Sequence, residues 1–322
     1  MTRNYTASDH LRLIHTVAEL YYLEGKTQLE IADVMGLSRS KVLRLLQEAR
    51  EEGIVQISVI NPFESVETLA NTLQLKLGLS TVIVVAGQSN EPTHIRKRLG
   101  YAAAHYLGSA LRQGTTLGIG WGRTLYEVAQ ALEAEPTRDL TIVPFMGGLG
   151  QITPSFQVHA MARTFSEKFG GTWKTLYAPA LVEDAAIYSA LMASRDIVPI
   201  TTLWNEVDVA LVGIGNIDLG EDVQMLFADY MTGNVYDRLR DMNAVGDICM
   251  RFFDMDGNVV NNGLEHVISI ELDRLKKIPH RIGVAGGAAK ASAIIGAARG
   301  GFINTLITDE AAVRQILPLI ED

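Results

Sequence analysis

Residues 115–132 read "TTLGIGWGRTLYEVAQAL". An apolar run enters the stretch. Gly118, Gly120 and Gly122 then alternate with Ile119 and Trp121, and a helix-patterned run leaves it. A buried strand that turns through glycine into a helix is the repeating unit of a parallel α/β sheet. At such a bend, backbone N–H groups can point at an anion. The alternation continues on both sides. "TVIVVAG" (81–87), "DLTIVPFMGG" (139–148), "DVALVGIG" (208–215), "RIGVAGG" (281–287) and "INTLITD" (303–309) are apolar runs of strand length. Helix-patterned stretches lie at 93–111, 124–132, 156–169 and 288–301. Strands with little polar alternation are buried on both faces, so the prediction is a parallel sheet covered by helices.

Ligands of such sheets bind outside the carboxyl ends of the strands. Glycine turns fall there at 118–122, Gly147-Gly148, 213–215 and Gly286-Gly287. Tight turns need glycine anyway, so the convergence of several turns carries more weight than any one. Thr124 and Lys290 stand at the starts of two of the following helices. Gly122 and Thr124 offer N–H and hydroxyl donors to an anion. Lys290 adds an ammonium where a helix dipole also favours negative charge.

Upstream, residues 27–59 read "TQLEIADVMGLSRSKVLRLLQEAREEGIVQISV". Leu29, Ile31, Ala32, Val34 and Met35 predict a short helix with an apolar side. Gly36 suits a left-handed turn. Ser38 is placed to cap a second helix, in which Val42, Leu45, Leu46 and Ala49 recur at helical spacing. Leu11, Ile14, Val17, Ala18 and Tyr21 predict a supporting helix, and "GIVQISVI" (53–60) a strand, the wing. This is the pattern of a winged helix-turn-helix, whose second helix enters the major groove. Ser38, Arg39, Ser40, Lys41 and Arg44 are the candidate DNA contacts. The boundaries expected are residues 1–60 for this domain, 61–79 for a linker helix carrying Val66, Leu69, Leu73 and Leu77, and 80–322 for the α/β domain.

The composition agrees with two globular domains: 322 residues, 48% hydrophobic and 20% charged. The net charge of −9 argues against a nucleic-acid binder taken whole. Residues 1–60 hold seven Lys/Arg and eight Asp/Glu, however, for a net of −1. Arg39, Lys41, Arg44 and Arg50 cluster there with only Glu48 among them. That is a local basic face on an acidic protein. One cysteine, Cys249, excludes an internal disulfide. No signal peptide or membrane span is visible, and a cytoplasmic location is expected.

Catalytic equipment is thin. The seven histidines show no metal-ligand spacing. There is no Walker loop, no nucleophile elbow and no full dinucleotide fingerprint, so no metal or cofactor is expected. In "AVGDICMRFFDMDGNVV" (244–260), Asp247 follows Gly246 and precedes a strand-like run, where it can meet sugar hydroxyls, while Asp254 and Asp256 suit a "DMDGN" hairpin turn.

These segments, in this order, resemble the SorC-type family of sugar-binding bacterial transcriptional regulators. The resemblance rests on residues 27–57, "LGIGWGRTL" (117–125), "PFMGG" (144–148), "DVALVGIG", residues 244–260 and residues 282–310. It implies a winged helix-turn-helix domain followed by an effector domain related to sugar-phosphate isomerases. It also implies a phosphorylated sugar or sugar-alcohol effector, operator DNA as partner, and a homo-tetramer or dimer. Carried over by position, Gly120, Trp121, Gly122, Thr124 and Lys290 contact the phosphate, with Gly147 and Gly148 beside them. Asp247 approaches the sugar part, with Cys249 and Arg251 as its neighbours. Glucosamine-phosphate isomerases look similar in the glycine stretches but carry an Asp-Gly-His segment after the "VGIG" strand. Here that place reads "GNIDLGEDVQ" (215–224), without histidine. The expectation is therefore a non-enzymatic regulator. The alternative is an isomerase-like enzyme with a DNA-binding appendix, which turnover of sugar phosphates, lost on Asp247→Asn, would reveal. One departure from the family is Leu43, where serine is frequent in the second helix.

Overall fold

The computed structural model describes residues 7–55, 65–87, 89, 91–135, 138–150, 156–217, 233–260 and 266–321. The chain divides into two compact units, Met1–Asn61 and Pro62–Asp322.

Among its described residues, the first unit holds three helices, α1 (Ala7–Tyr22), α2 (Gln28–Met35) and α3 (Arg39–Glu51). Thr27 and Glu30 cap α2 reciprocally: the Thr27 hydroxyl accepts from Glu30 N–H and the Glu30 carboxylate from Thr27 N–H. Gly36 ends α2 in the left-handed region at φ 63°. Ser38 starts α3 by accepting from Lys41 N–H at 3.2 Å. Ile14, Val17 and Ala18 meet Ile31, Ala32, Val42, Leu45, Leu46 and Ala49 in one core. Leu29 and Val34, expected on the apolar side of α2, are instead 61% and 67% exposed. They stand about 110° to either side of the Ile31–Met35 stripe, and a helix of two turns turns only one stripe inward. Of the strand expected at 53–60, residues 56–60 lie outside the described residues.

The second unit is built on a seven-stranded parallel sheet. Helix α4 (Val66–Leu77) leads to β1 (Thr81–Val85), then α5 (Pro92–Ala110), β2 (Thr116–Ile119), α6 (Arg123–Ala131), β3 (Leu140–Pro144), α7 (Val158–Phe169), β4 (Gly171–Trp173) and β5 (Val209–Gly213). After an antiparallel excursion, β6 (Gly215–Asn216), β7 (Ala244–Ile248), β8 (Arg251–Asp254) and β9 (Val259–Val260), the chain returns as β10 (His280–Val284) and β11 (Thr305–Asp309). The order across the large sheet is β1-β11-β10-β5-β2-β3-β4. Leu117, Ile119, Leu211 and Ile282 face the core under α5, α6 and α7. Ala210, Val212 and Leu306 face the other core, with α4 and the helix Ala291–Arg299. That two-sided burial is why these strands lack polar alternation. Leu69 and Leu73 of α4 are fully buried in this unit, so the segment read as a linker packs as part of it.

Of the antiparallel sheet β6-β7-β8-β9, only the strand-like run after Asp247 and the "DMDGN" hairpin turn were visible in the sequence. Its central hairpin turns at Cys249 and Met250, with φ of 52° and 62°. A two-residue hairpin of this kind is ordinarily signalled by Asn-Gly or Asp-Gly, and "DICMRF" carries neither. The "DMDGN" turn forms as read: Asp254 accepts from Asp256 N–H and Asn258 N–H.

Candidate functional site

The connection after β2 runs outward to β3, whereas the chain after β5 returns on the other side as β10. β2 and β5 are neighbours, so the crevice between their carboxyl ends is a topological switch point, where open α/β sheets bind ligands. The Gly120–Trp121–Gly122 turn lies there.

Its members differ in what they offer. Gly120 N–H donates to Leu211 O at 2.9 Å, extending the sheet ladder. Trp121 N–H donates to the Cys249 sulfur, and the half-buried Trp121 ring packs against both cores. Both amides are therefore engaged within the fold, and both residues shape the floor. Gly122, at φ 133°, precedes α6 without a side-chain cap, and a side chain added there would meet nothing within 4 Å. Arg123 and Thr124 follow as the first two residues of α6, both half-buried.

The second wall comes from the turn after β10. Gly287 N–H donates to Asp309 Oδ1 at 2.7 Å, and the same oxygen caps Ala312 N–H. Asp309 is only 2% exposed, so this turn hangs on a buried carboxylate. Ala288–Lys290 then forms a 3₁₀ turn ahead of the helix Ala291–Arg299, so Lys290 precedes the regular helix rather than standing in its first turn. Lys290 is not a solvated surface lysine. Burial pulls its pKa down to about 8, against the attraction of Asp247 and with a further push from the Arg123 guanidinium.

The antiparallel sheet delivers Asp247. It pairs with Gly215, and a side chain at 215 would strike the Asp247 carboxylate. Asp247 Oδ2 accepts from Met250 N–H at 3.0 Å. Burial raises its pKa, while Lys290 and that N–H oppose the rise. Asn216 Nδ2 donates to Ala289 O at 3.2 Å, tying this sheet to the Lys290 turn. Cys249 is buried, and burial, then Asp247, push its thiol up to about 12, which leaves an inert group. Arg251 is committed to Ser269 and Val267 and acts as a structural brace.

Gly147 and Gly148 spend their amides within the fold. Gly147 N–H donates to Ile268 O at 3.0 Å and Gly148 N–H to Ala178 O at 2.8 Å. A side chain at 147 would lie 2.5 Å from the carbonyls of Ala178 and Pro179. These glycines permit close backbone packing. The structure thus gathers Asp247, Lys290 and Arg123 into one electrostatically coupled group beside the Gly122–Thr124 turn. Arg123 was missed in the sequence, although it is a lone cation inside the glycine stretch. Among the described part of "GNIDLGEDVQ", Gly215 and Asn216 serve the site as stated, and residues 218–224 lie outside the described residues.

In the first unit, Arg39, Ser40 and Arg44 are exposed on α3 and Lys41 is half-buried. Arg44 Nε lies 3.3 Å from Glu48, which also meets His10 at 2.9 Å. Ser38 is both exposed and engaged as the cap.

A small helical unit followed by a parallel α/β unit with a switch-point crevice is the class that this fold defines, and the comparisons place it in a family. Residues 61–318 match the family model described as "Putative sugar-binding domain". The chain is 31% identical to the deoxyribonucleoside regulator of Bacillus subtilis (strain 168), over 93% of this chain and 95% of that one. It is 30% identical to the sorbitol operon regulator of Klebsiella pneumoniae, over 96% and 99%. The crystal structure of that full-length regulator, SorC, superposes with a TM-score of 0.73 at 30% identity, covering 96% of this chain and 99% of that one. The chain belongs to the SorC family of sugar-binding transcriptional regulators. Among the described residues, no helix is long and apolar enough to cross a membrane.

Proposed function

We propose that the protein is a cytoplasmic, DNA-binding transcriptional regulator controlled by a phosphorylated sugar or sugar-alcohol. The observation that carries this is Lys290, partly withdrawn from water at the switch point, its ammonium attracted by Asp247 and repelled by Arg123. An ammonium drawn out of water at the mouth of such a crevice is stabilised by an anion. Gly122, Arg123, Thr124 and Lys290 hold the phosphate, and Asp247 accepts from a sugar hydroxyl. Gly120, Trp121, Gly147 and Gly148 shape the crevice. Helix α3 reads operator DNA through Arg39, Ser40, Lys41 and Arg44, with Ser38 setting its start. One such module neutralises few phosphates, so a homo-dimer or tetramer supplies the avidity. The effector changes operator affinity by its differential affinity for the two arrangements of the oligomer.

A thermal-shift panel tests the ligand class. Sugar phosphates, the same sugars without phosphate, and inorganic phosphate are compared on the native chain and on Lys290→Ala. A concentration-dependent rise in Tm with a sugar phosphate, lost in the variant, is expected. Equal shifts with the unphosphorylated sugar would overturn the phosphate assignment. On the DNA side, Arg39→Ala with Lys41→Ala is expected to lower the slope of log affinity against log salt by about 2, at roughly one unit per phosphate contact. An unchanged slope would remove α3 from the interface.

A further inference from the structure

Helix α3 carries five apolar residues beyond its first turn's polar start, and four of them, Val42, Leu45, Leu46 and Ala49, are buried in the core of the unit. The fifth, Leu43, is 55% exposed. It stands one turn beyond Arg39 and one turn before Gln47, next to Ser40 and Arg44, on the side turned away from the core. Gln47 is drawn toward the end of the helix, where its Nε2 donates to Glu51 at 2.9 Å. Leu43 is therefore the apolar element of a surface whose other members are Arg39, Ser40 and Arg44.

Charge complementarity selects the occupant of this surface. Arg39, Lys41 and Arg44 match a phosphate backbone, and the N-terminal half of such a helix lies against base edges. An isobutyl group can neither donate nor accept a hydrogen bond, so it cannot read the donor and acceptor pattern of the groove. The apolar feature that a base pair presents in the major groove is the C5-methyl of thymine. Set against the polar edge of a G·C pair, the same side chain leaves donors and acceptors without partners. We propose that Leu43 is a specificity-determining residue that reads a thymine in each operator half-site by packing on its C5-methyl group. This rests on the assignment of α3 as the DNA-reading helix.

The experiment begins with selection from a random duplex pool by the full chain, alone and with the sugar-phosphate panel. Each thymine of the enriched half-site is then replaced by deoxyuridine, which removes only the methyl group. Binding is compared for the native chain and Leu43→Ala, a change that keeps the helix because alanine is its best former. One deoxyuridine position is expected to weaken native binding about fourfold per half-site, the worth of one buried methyl group. The same replacement leaves Leu43→Ala unchanged. Deoxyuridine effects that are equal in the two proteins, or absent at every position, overturn the assignment to Leu43 while salt-dependent binding still supports α3. A pool without enrichment overturns the DNA-reading helix itself, and the Leu43 assignment with it.

Discussion

The turns after β2 and after β3 are alike in sequence and unlike in use. Both follow buried strands and both carry paired or alternating glycines. At Gly122 the direction of a side chain is open, and a cation-bearing helix begins beside it. At Gly147 the same direction is filled by two backbone carbonyls, and the amide is committed to Ile268. A glycine turn at the end of a strand therefore has two separate causes. One is access for a ligand, and the other is close approach of the chain to itself.

The largest effect expected from this contrast is on folding. Gly147→Ala must displace backbone rather than side chain, and a loss of about 3 kcal/mol in urea denaturation is expected. Gly148→Ala meets Gln157 Oε1 at 3.6 Å and Ala178 O at 4.0 Å, both ordinary contacts, and is expected to stay within about 1 kcal/mol. If the two variants are equally stable, the packing account of the second turn fails.

Ligand binding sharpens the other side. Lys290→Ala is expected to weaken the sugar phosphate about 30-fold in calorimetry, near 2 kcal/mol for a charge-assisted contact. Arg123→Ala is expected to cost less, about fivefold, because the Gly122 N–H and the Thr124 hydroxyl beside it remain to hold the phosphate. Equal losses would place both cations on the phosphate alike, and no loss in either would break the comparison.

The smallest effect is in pH. With the Lys290 ammonium titrating at about 8 in the free protein, affinity is retained below that pH and declines above it. The decline continues until the higher pKa of the complex is reached, since the bound anion favours the charged lysine. The phosphate becomes dianionic at about 6, so a maximum between about 6 and 8 is expected. Affinity that is flat to pH 9 would show that Lys290 stays clear of the ligand.

Much of the fold was legible because its signals are local. Gly36, Ser38 and the Val42–Leu45–Leu46–Ala49 spacing act within a turn or two of themselves, and α2 and α3 form as read. The continuous apolar strands were legible for the same reason. The antiparallel sheet was legible only at its "DMDGN" hairpin turn, because its central hairpin turns at Cys249 and Met250, residues with no turn signature. Nor was the brace made by Asp309, whose carboxylate reaches Gly287 across 22 positions.

The candidate site divides in the same way. The sequence by itself determined that glycine turns and a lysine gather at the ends of buried strands, and that a basic cluster marks α3. Those facts follow from residue type and spacing. Tertiary structure alone decided which amides were already committed to the sheet, that Arg123 joins Lys290, and that a β hairpin presses Asp247 against Gly215 beside them. Hydrogen-bond commitment, desolvation and charge coupling depend on neighbours distant in the chain, and only folding supplies those.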